Sequence, residues 1–318
     1  MDSALVFLSS GFPYLLGIIG TLGNFISFGI FSRKKFEKNK ITIMFRVMSI
    51  VNTSFLIEYF LYFFYNLENS LPISTPNEIL LCKWLNYVSY FLPSASAWIL
   101  VYTSLMRYIT IKSITKIKIF ESSFFNIIIS LVIILANVIL FIPIVFLETM
   151  VPSVSNASDN STIVTYYCNI LNPYATYLIS FLDLIIVLII PFCCMIVISS
   201  LLIYFVTVTR KKLEASMSLN DAKRFKRDLK LTANVIFLIL MFFVTQIPYS
   251  LLVIVVYYPP PALNIIMYDL YLLFYGLDFF VYISTNSNFR NECKKVLKLK
   301  PKRSDRQISK AVTNNTNL

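Results

Sequence analysis

Every Lys and Arg in this chain except Lys83 falls in one of four clusters, and long apolar runs separate those clusters. The clusters run from Arg33 to Arg46, Arg107 to Lys118, Arg210 to Lys230, and Arg290 to Lys310. Cations collect on the cytoplasmic side of a bilayer, because moving them across is costly and the inner leaflet is anionic. If all four clusters are inside, each interval between neighbours crosses twice and the stretch before Arg33 crosses once. The pattern predicts seven spans, with the amino terminus outside and the carboxyl terminus in the cytoplasm.

Composition agrees. The chain is 57% hydrophobic and 14% charged over 318 residues, with a mean hydropathy of +0.72. A soluble fold could not hide that much apolar surface, so the bilayer is its solvent. A net charge of +12 raises nucleic acid as a partner, but the cations border spans and read as a membrane-lipid contact. Nucleic-acid binding is not expected. The first apolar run leads straight into Arg33, Lys34 and Lys35, a stop-transfer pattern rather than a cleaved signal peptide. With no His and few close carboxylates, no hydrolytic or metal-centred enzyme is expected.

Seven uncharged or nearly uncharged runs supply the spans, at about 12–32, 43–66, 84–106, 122–147, 173–209, 231–258 and 264–286. The fold class is an all-α seven-helix membrane bundle, one domain over residues 1–298. A short basic amphipathic helix at 288–297 follows, with Phe289, Cys293, Val296 and Leu297 on one face toward the inner membrane surface. The polar tail, 299–318, reads as disordered. Sequons at Asn156 and Asn160 lie in the loop that the topology places outside, so both are glycosylation candidates. No internal repeat of the transporter kind is visible.

The chain resembles the rhodopsin-like (class A) G-protein-coupled receptors over nearly its whole length. Gly23-Asn24 matches the Gly-Asn of that family's first helix. The third span opens near Cys82 and closes on Met106-Arg107-Tyr108, with the family's 25-residue step from Cys to Arg. The fifth carries Pro191, and the sixth carries Phe242-Val-Thr-Gln246-Ile-Pro248-Tyr249, similar to Phe-x-x-Cys-Trp-x-Pro-Tyr. The seventh ends in Asp278-Phe-Phe-Val-Tyr282, which looks like Asn/Asp-Pro-x-x-Tyr. There are departures. Met106 replaces the acid before the Arg, Gln246 the Trp of span six, Phe279 the Pro of span seven, and Asn52 the acid of span two. The fourth span lacks its usual Trp.

The resemblance implies a plasma-membrane receptor that activates a heterotrimeric G protein, with arrestin as a further partner. It pairs Cys82 with Cys168 in a disulfide, and Arg107 with Asp228, 20 residues before Pro248, as an ionic lock beside Tyr108. The bland alternative makes Arg107 one more inside cation. Asn24, Asn52, Ser96 and Asp278 would surround a mid-membrane sodium and water pocket, with sodium held by Asp278, Ser96 and Asn52. Alternatively, Asp278 is protonated and hydrogen-bonded to Asn24 or Asn52. Pro191, Phe242, Gln246, Pro248 and Tyr282 complete the activation core. Cys293 is a palmitoylation candidate, and no cofactor other than sodium is implied.

Glu58, Asp183 and Asp269 are acids in the outer halves of spans two, five and seven, where only Lys83 could neutralise them. Intramembrane carboxylates usually face a cavity. They read either as separate helix-end acids or as a shared pocket for a cationic ligand, and the second is favoured. Ser89 stands where amine receptors of this family keep an acid, which argues against a biogenic amine and favours a peptide with a basic or amidated end. A chemosensory receptor for small molecules is the alternative. A retinal protein needs a lysine in the last span and there is none. A channel of inverted topology opposes the charge pattern, and six glycines in the chain argue against a transporter.

Overall fold

The computed structural model describes residues 11–37, 41–68, 76–112, 122–156, 162–170, 172–213, 219–255 and 260–297. Seven helices are long and apolar enough to cross a membrane. They are α1 (Phe12–Phe31), α2 (Thr42–Glu68), α3 (Pro76–Lys112), α4 (Ser123–Leu147), α5, α6 (Leu219–Val255) and α7 (Pro261–Thr285). α5 is composite, with α-helix at Pro173–Asp183, π-helix at Leu184–Ile189 and α-helix again at Ile190–Leu213. A short α8 (Ser287–Val296) ends the described chain, and one turn at Lys34–Glu37 links α1 toward α2. Several helices outrun their apolar cores. α3 begins before Cys82 and continues to Lys112, and α6 starts among the cations of the third cluster. Polar residues beyond the hydrocarbon do not stop a helix, so hydropathy marks only its buried part.

Burial separates the helices by role. The spanning windows of α2 and α3 are each 67% buried, whereas those of α4 and α5 are 22% buried. α3 packs against α2, α4, α5 and α6 and is the centre of the bundle. α4 is apolar nearly all round because most of it faces outward. Its buried polar side chains, Asn126, Ser130 and Asn137, turn inward. Tyr102 donates to Asn126 Oδ1 at 2.9 Å, Ser94 donates to Asn137, Tyr87 donates to the Val138 carbonyl at 2.7 Å, and Ser130 reaches Met44 Sδ at 3.4 Å. This ladder fixes α4 to α2 and α3 without the tryptophan that the resemblance would place there.

α1 meets α7 across glycines. A Cβ on Gly20 would fall 2.6 Å from the Gly276 Cα, and one on Gly276 would fall 2.8 Å from Leu16 Cδ1. A side chain at position 20 would push the α7 backbone away, whereas one at 276 would displace the Leu16 side chain. Where α1, α2, α7 and α8 converge, Phe31, Phe45, Tyr282 and Phe289 stack, with Phe31 and Tyr282 edge-to-face at 4.9 Å. The π-helical stretch of α5 ends just before Pro191. A proline there has no N–H to give its preceding turn, and the chain widens on that turn.

One element lies outside the sequence expectation, an antiparallel hairpin of β1 (Glu148–Asn156) and β2 (Thr162–Ile170) in register Glu148 to Ile170. Asn156 falls on β1; Asn160 and the tail, 299–318, lie outside the described residues.

Candidate functional site

A cavity of about 440 Å³ opens between α2, α3, α5, α6 and α7. That is within the usual range for small-ligand pockets. Glu58, Ser89 and Asp183 all line it, so three of the four expected pocket residues share one space. Phe55, Tyr59, Tyr90, Tyr249, Tyr268 and Tyr271 supply aromatic walls. The fourth expected residue does not join them. Asp269 is buried at 5% exposure and is not among the cavity's lining residues. A helix turns about 100° per residue, so Tyr268 and Asp269 cannot both face one cavity squarely. Ser89 turns its hydroxyl to the Asn86 carbonyl of its own helix, 2.7 Å away.

At the rim, Glu148 is the first residue of β1 and is buried. Burial pushes its carboxyl up to about 7, while a hydrogen bond to Asn86 and the charge of Lys83 act against that rise. Cys82, on α3, is disulfide-bonded. Cys168 stands opposite Met150 in the hairpin register, and its side chain lies outside the described residues.

Beneath the cavity a polar core links the helices. Gln246, in the usual tryptophan position, donates from Nε2 to the Tyr271 carbonyl at 3.0 Å and accepts at Oε1 from the Tyr275 hydroxyl at 3.3 Å. It thus ties α6 to α7 two residues before Pro248. The Tyr275 carbonyl in turn accepts from Asn24 Nδ2 at 3.0 Å. Phe242 is fully buried and meets Phe274 edge-to-face at 5.3 Å.

Deeper still, Asn52 donates to Asp278 Oδ2 at 2.8 Å and accepts from Ser96 at 2.7 Å. The exchanged residue types of α2 and α7 therefore meet directly. Asp278 Oδ1, Asn24 Oδ1 and Ser27 Oγ are buried without a hydrogen-bond partner. The free carboxylate oxygen of Asp278, in the network with Asn52 and Ser96, is a hard donor that fits a cation such as sodium. No group of three or more His, Cys, Asp or Glu able to hold a metal occurs among the described residues.

The chain matches the family model for the 7 transmembrane receptor (rhodopsin family) over residues 23–283, well over half its length. The chain belongs to the rhodopsin family of seven-transmembrane receptors. It is therefore a multi-pass membrane receptor of a family that signals from extracellular ligands to G proteins. No curated protein matches it in sequence.

At the other end of the receptor, Arg107 is wholly buried and Met106 packs with Ile41, Ile43 and Met44. The residue that replaced the family's acid is thus part of an apolar contact between α2 and α3. Tyr108 meets Phe205 of α5 at 5.5 Å, with the Lys112 ammonium over both rings. Asp228 falls on α6, and its side chain lies outside the described residues.

α8 differs from its expected orientation. Phe289, Glu292 and Cys293 are buried, whereas Val296 and Leu297 are exposed. The reason is Glu292, which sequence reasoning passed over. Its carboxylate takes Lys295 at 2.8 Å, Arg33 at 3.2 Å and Lys35 at 3.3 Å, which docks α8 onto the turn after α1. Lys295, then Lys35 and Arg33, hold that carboxyl down to about 2, against an opposing effect of burial. Cys293 is consequently packed inward, where burial raises its thiol pKa, and this conformation does not present it for acylation. In α5, Cys193 is exposed on the surface of the bundle and Cys194 is partly buried.

Proposed function

We propose that this receptor binds an extracellular cationic ligand in the cavity between α2, α3, α5, α6 and α7 and activates a heterotrimeric G protein at its opposite, cation-rich end. The observation that carries the reading is the cavity itself. Two carboxylates and six aromatic rings line it, and among the described residues no Lys or Arg does. Such a lining favours a cation by charge and by the negative faces of the rings. Ligand contact at Tyr271 acts directly on the carbonyl held by Gln246, and through Gln246 on α6 beside Pro248. α6 then tilts about Pro248, Arg107 parts from Asp228, and a cytoplasmic cavity opens for the Gα tail. Signalling is a shift between two packings, driven only by the ligand's differential affinity.

The orientation that goes with this function puts the amino terminus, the hairpin, Asn156 and Asn160 outside, with the four cation clusters and the tail in the cytoplasm. Cys82 bridges Cys168; Cys193, Cys194 and Cys293 are free. Sodium, where bound, would be held by Asp278, Ser96 and Asn52 and would supply a compensating charge. Arrestin would engage the same cytoplasmic face. A basic peptide is the leading ligand class. A small-molecule, chemosensory role is the second reading, favoured by the compact volume of the cavity.

The test is the lock. Asp228→Asn is expected to raise ligand-independent signalling, Met106→Asp to lower it, and Arg107→Ala to weaken coupling while surface expression persists. Unchanged basal activity in Asp228→Asn, in a receptor shown to signal, would return Asp228 to the role of a solvated helix-end acid.

A further inference from the structure

The two carboxylates of the cavity do not behave as one site. Glu58 belongs to α2, with Phe55 and Tyr59 beside it, and Asp183 belongs to α5, with Ser180 and Leu184. α3 packs against both α2 and α5 and contributes Asn86, Ser89, Tyr90 and Pro93 to the wall between them. The acids therefore stand toward different ends of the space. Their surroundings differ accordingly. Asp269 and then Glu58 lie within electrostatic range of Tyr59, and Asp183 within range of Tyr271 and Tyr275. Two carboxyls sharing one proton would have to touch, and these do not.

Glu58 is only 6% exposed, and neither it nor Asp183 has a hydrogen bond or ion pair to another described residue. A buried carboxylate without a partner is costly, and each of the two needs its own counter-charge to ionise. No lining residue supplies one.

We infer that the ligand presents two cationic nitrogens joined by a flexible chain, one met by Glu58 with Tyr59 and the other by Asp183 with Tyr271. This deepens the reading of the cavity as the ligand site and rests on it. The shared chemistry can come from a free aliphatic diamine or from the dibasic end of a peptide, whose paired Lys or Arg side chains offer the same two charges. A monocation would leave one acid unmatched. Its affinity is therefore lower even when its carbon chain is identical.

Binding is read on the purified full-length receptor in lipid nanodiscs by ligand-induced thermal shift, which needs no G protein. The probes are α,ω-diaminoalkanes of three to ten carbons, the matching n-alkylamines, and Lys-Arg and Lys-Ala dipeptide amides. The expected result is at least a tenfold preference for diamine over monoamine, with an optimum chain length, or the same preference for Lys-Arg over Lys-Ala amide. Which pair shows the larger ratio distinguishes the free amine from the peptide. Glu58→Gln and Asp183→Asn should each bring the dication down to the monocation's level. Equal affinity of monocation and dication for the unsubstituted receptor overturns the inference, with no variant needed. Failure of every probe to shift the receptor overturns it as well, as does an effect of only one of the two substitutions. Failure of the signalling reading registers separately, in the Asp228→Asn basal assay, which uses no ligand.

Discussion

Replacing Glu292 by Gln keeps the shape of the side chain and one acceptor oxygen but removes the charge on which three cations converge. Arg33 and Lys35 come from outside α8 and are 44% and 45% exposed, so each bridge falls in the range for partly solvated pairs, about 0.2–1 kcal/mol. Lys295, three residues along the same helix, adds roughly 0.2–0.5 kcal/mol. Together the loss is about 1–2 kcal/mol of docking energy, and at ~1.4 kcal/mol per decade that multiplies the undocked population of α8 about 5- to 30-fold. Cys293 reports it, because its thiol is buried beside Glu292 in the docked helix. In a Cys193→Ser, Cys194→Ser background, labelling of Cys293 by a membrane-impermeant maleimide on inside-out vesicles should accelerate by that factor in Glu292→Gln, provided opening is faster than labelling. Raising the salt from about 0.1 to 1 M shortens the screening length from ~10 to ~3 Å and should bring the unsubstituted receptor toward the variant. The charge-dependent part of docking also has a defined pH window. The Glu292 carboxyl is depressed to about 2, so its contribution is complete above the ordinary value of 4.5 and fades as pH falls from there through 2. Labelling unchanged by the substitution, or unchanged in the unsubstituted receptor by the rise in salt, would refute the clamp.

Other outcomes follow from the same contacts. Gly20→Ala drives a methyl into the Gly276 backbone, so α1 must move off α7; a loss of about 1–3 kcal/mol should appear as lower surface expression and a lower melting temperature. Glu148→Gln should raise thermal stability at pH 8 and leave it unchanged at pH 4. Glu148 binds its proton more tightly folded, up to about 7, than its ordinary 4.5, so its destabilising effect grows as pH rises from 4.5 through 7. Cys82→Ser and Cys168→Ser should each impair surface expression, and the double substitution should be no worse than either alone, since one bond is lost in every case. Additive losses would show that the two do not pair. Gln246→Leu removes two buried hydrogen bonds between α6 and α7, worth about 0.5–1.5 kcal/mol each. Basal or ligand-evoked signalling should change by several-fold at constant expression; identical dose–response curves would deny Gln246 a part in coupling the two helices.

Membrane proteins expose their large-scale plan in sequence because the solvent is so selective. Charge is confined to the ends of spans, so the cation clusters and the apolar runs between them specified seven helices, and the order of Asn24, Arg107, Pro248 and Tyr282 specified the family. Hydropathy says little about facing, however, since lipid and protein interior are equally apolar. It could not tell that Asp269 is left out of the lining that Glu58 and Asp183 share, because the difference is one helical step of rotation set by packing against α1 and α2. Nor could it tell that Cys293 points inward. The apolar face of α8 suggested lipid, and a single acid, drawn by cations remote in sequence, turned part of that face against the bundle. The polar residues of α4 looked unremarkable until α3 supplied partners for Asn126 and Asn137 and α2 supplied one for Ser130. Long-range pairing of this kind leaves no local period to read. The number and order of the helices were written in the chain; which buried polar groups meet was decided only when seven helices packed.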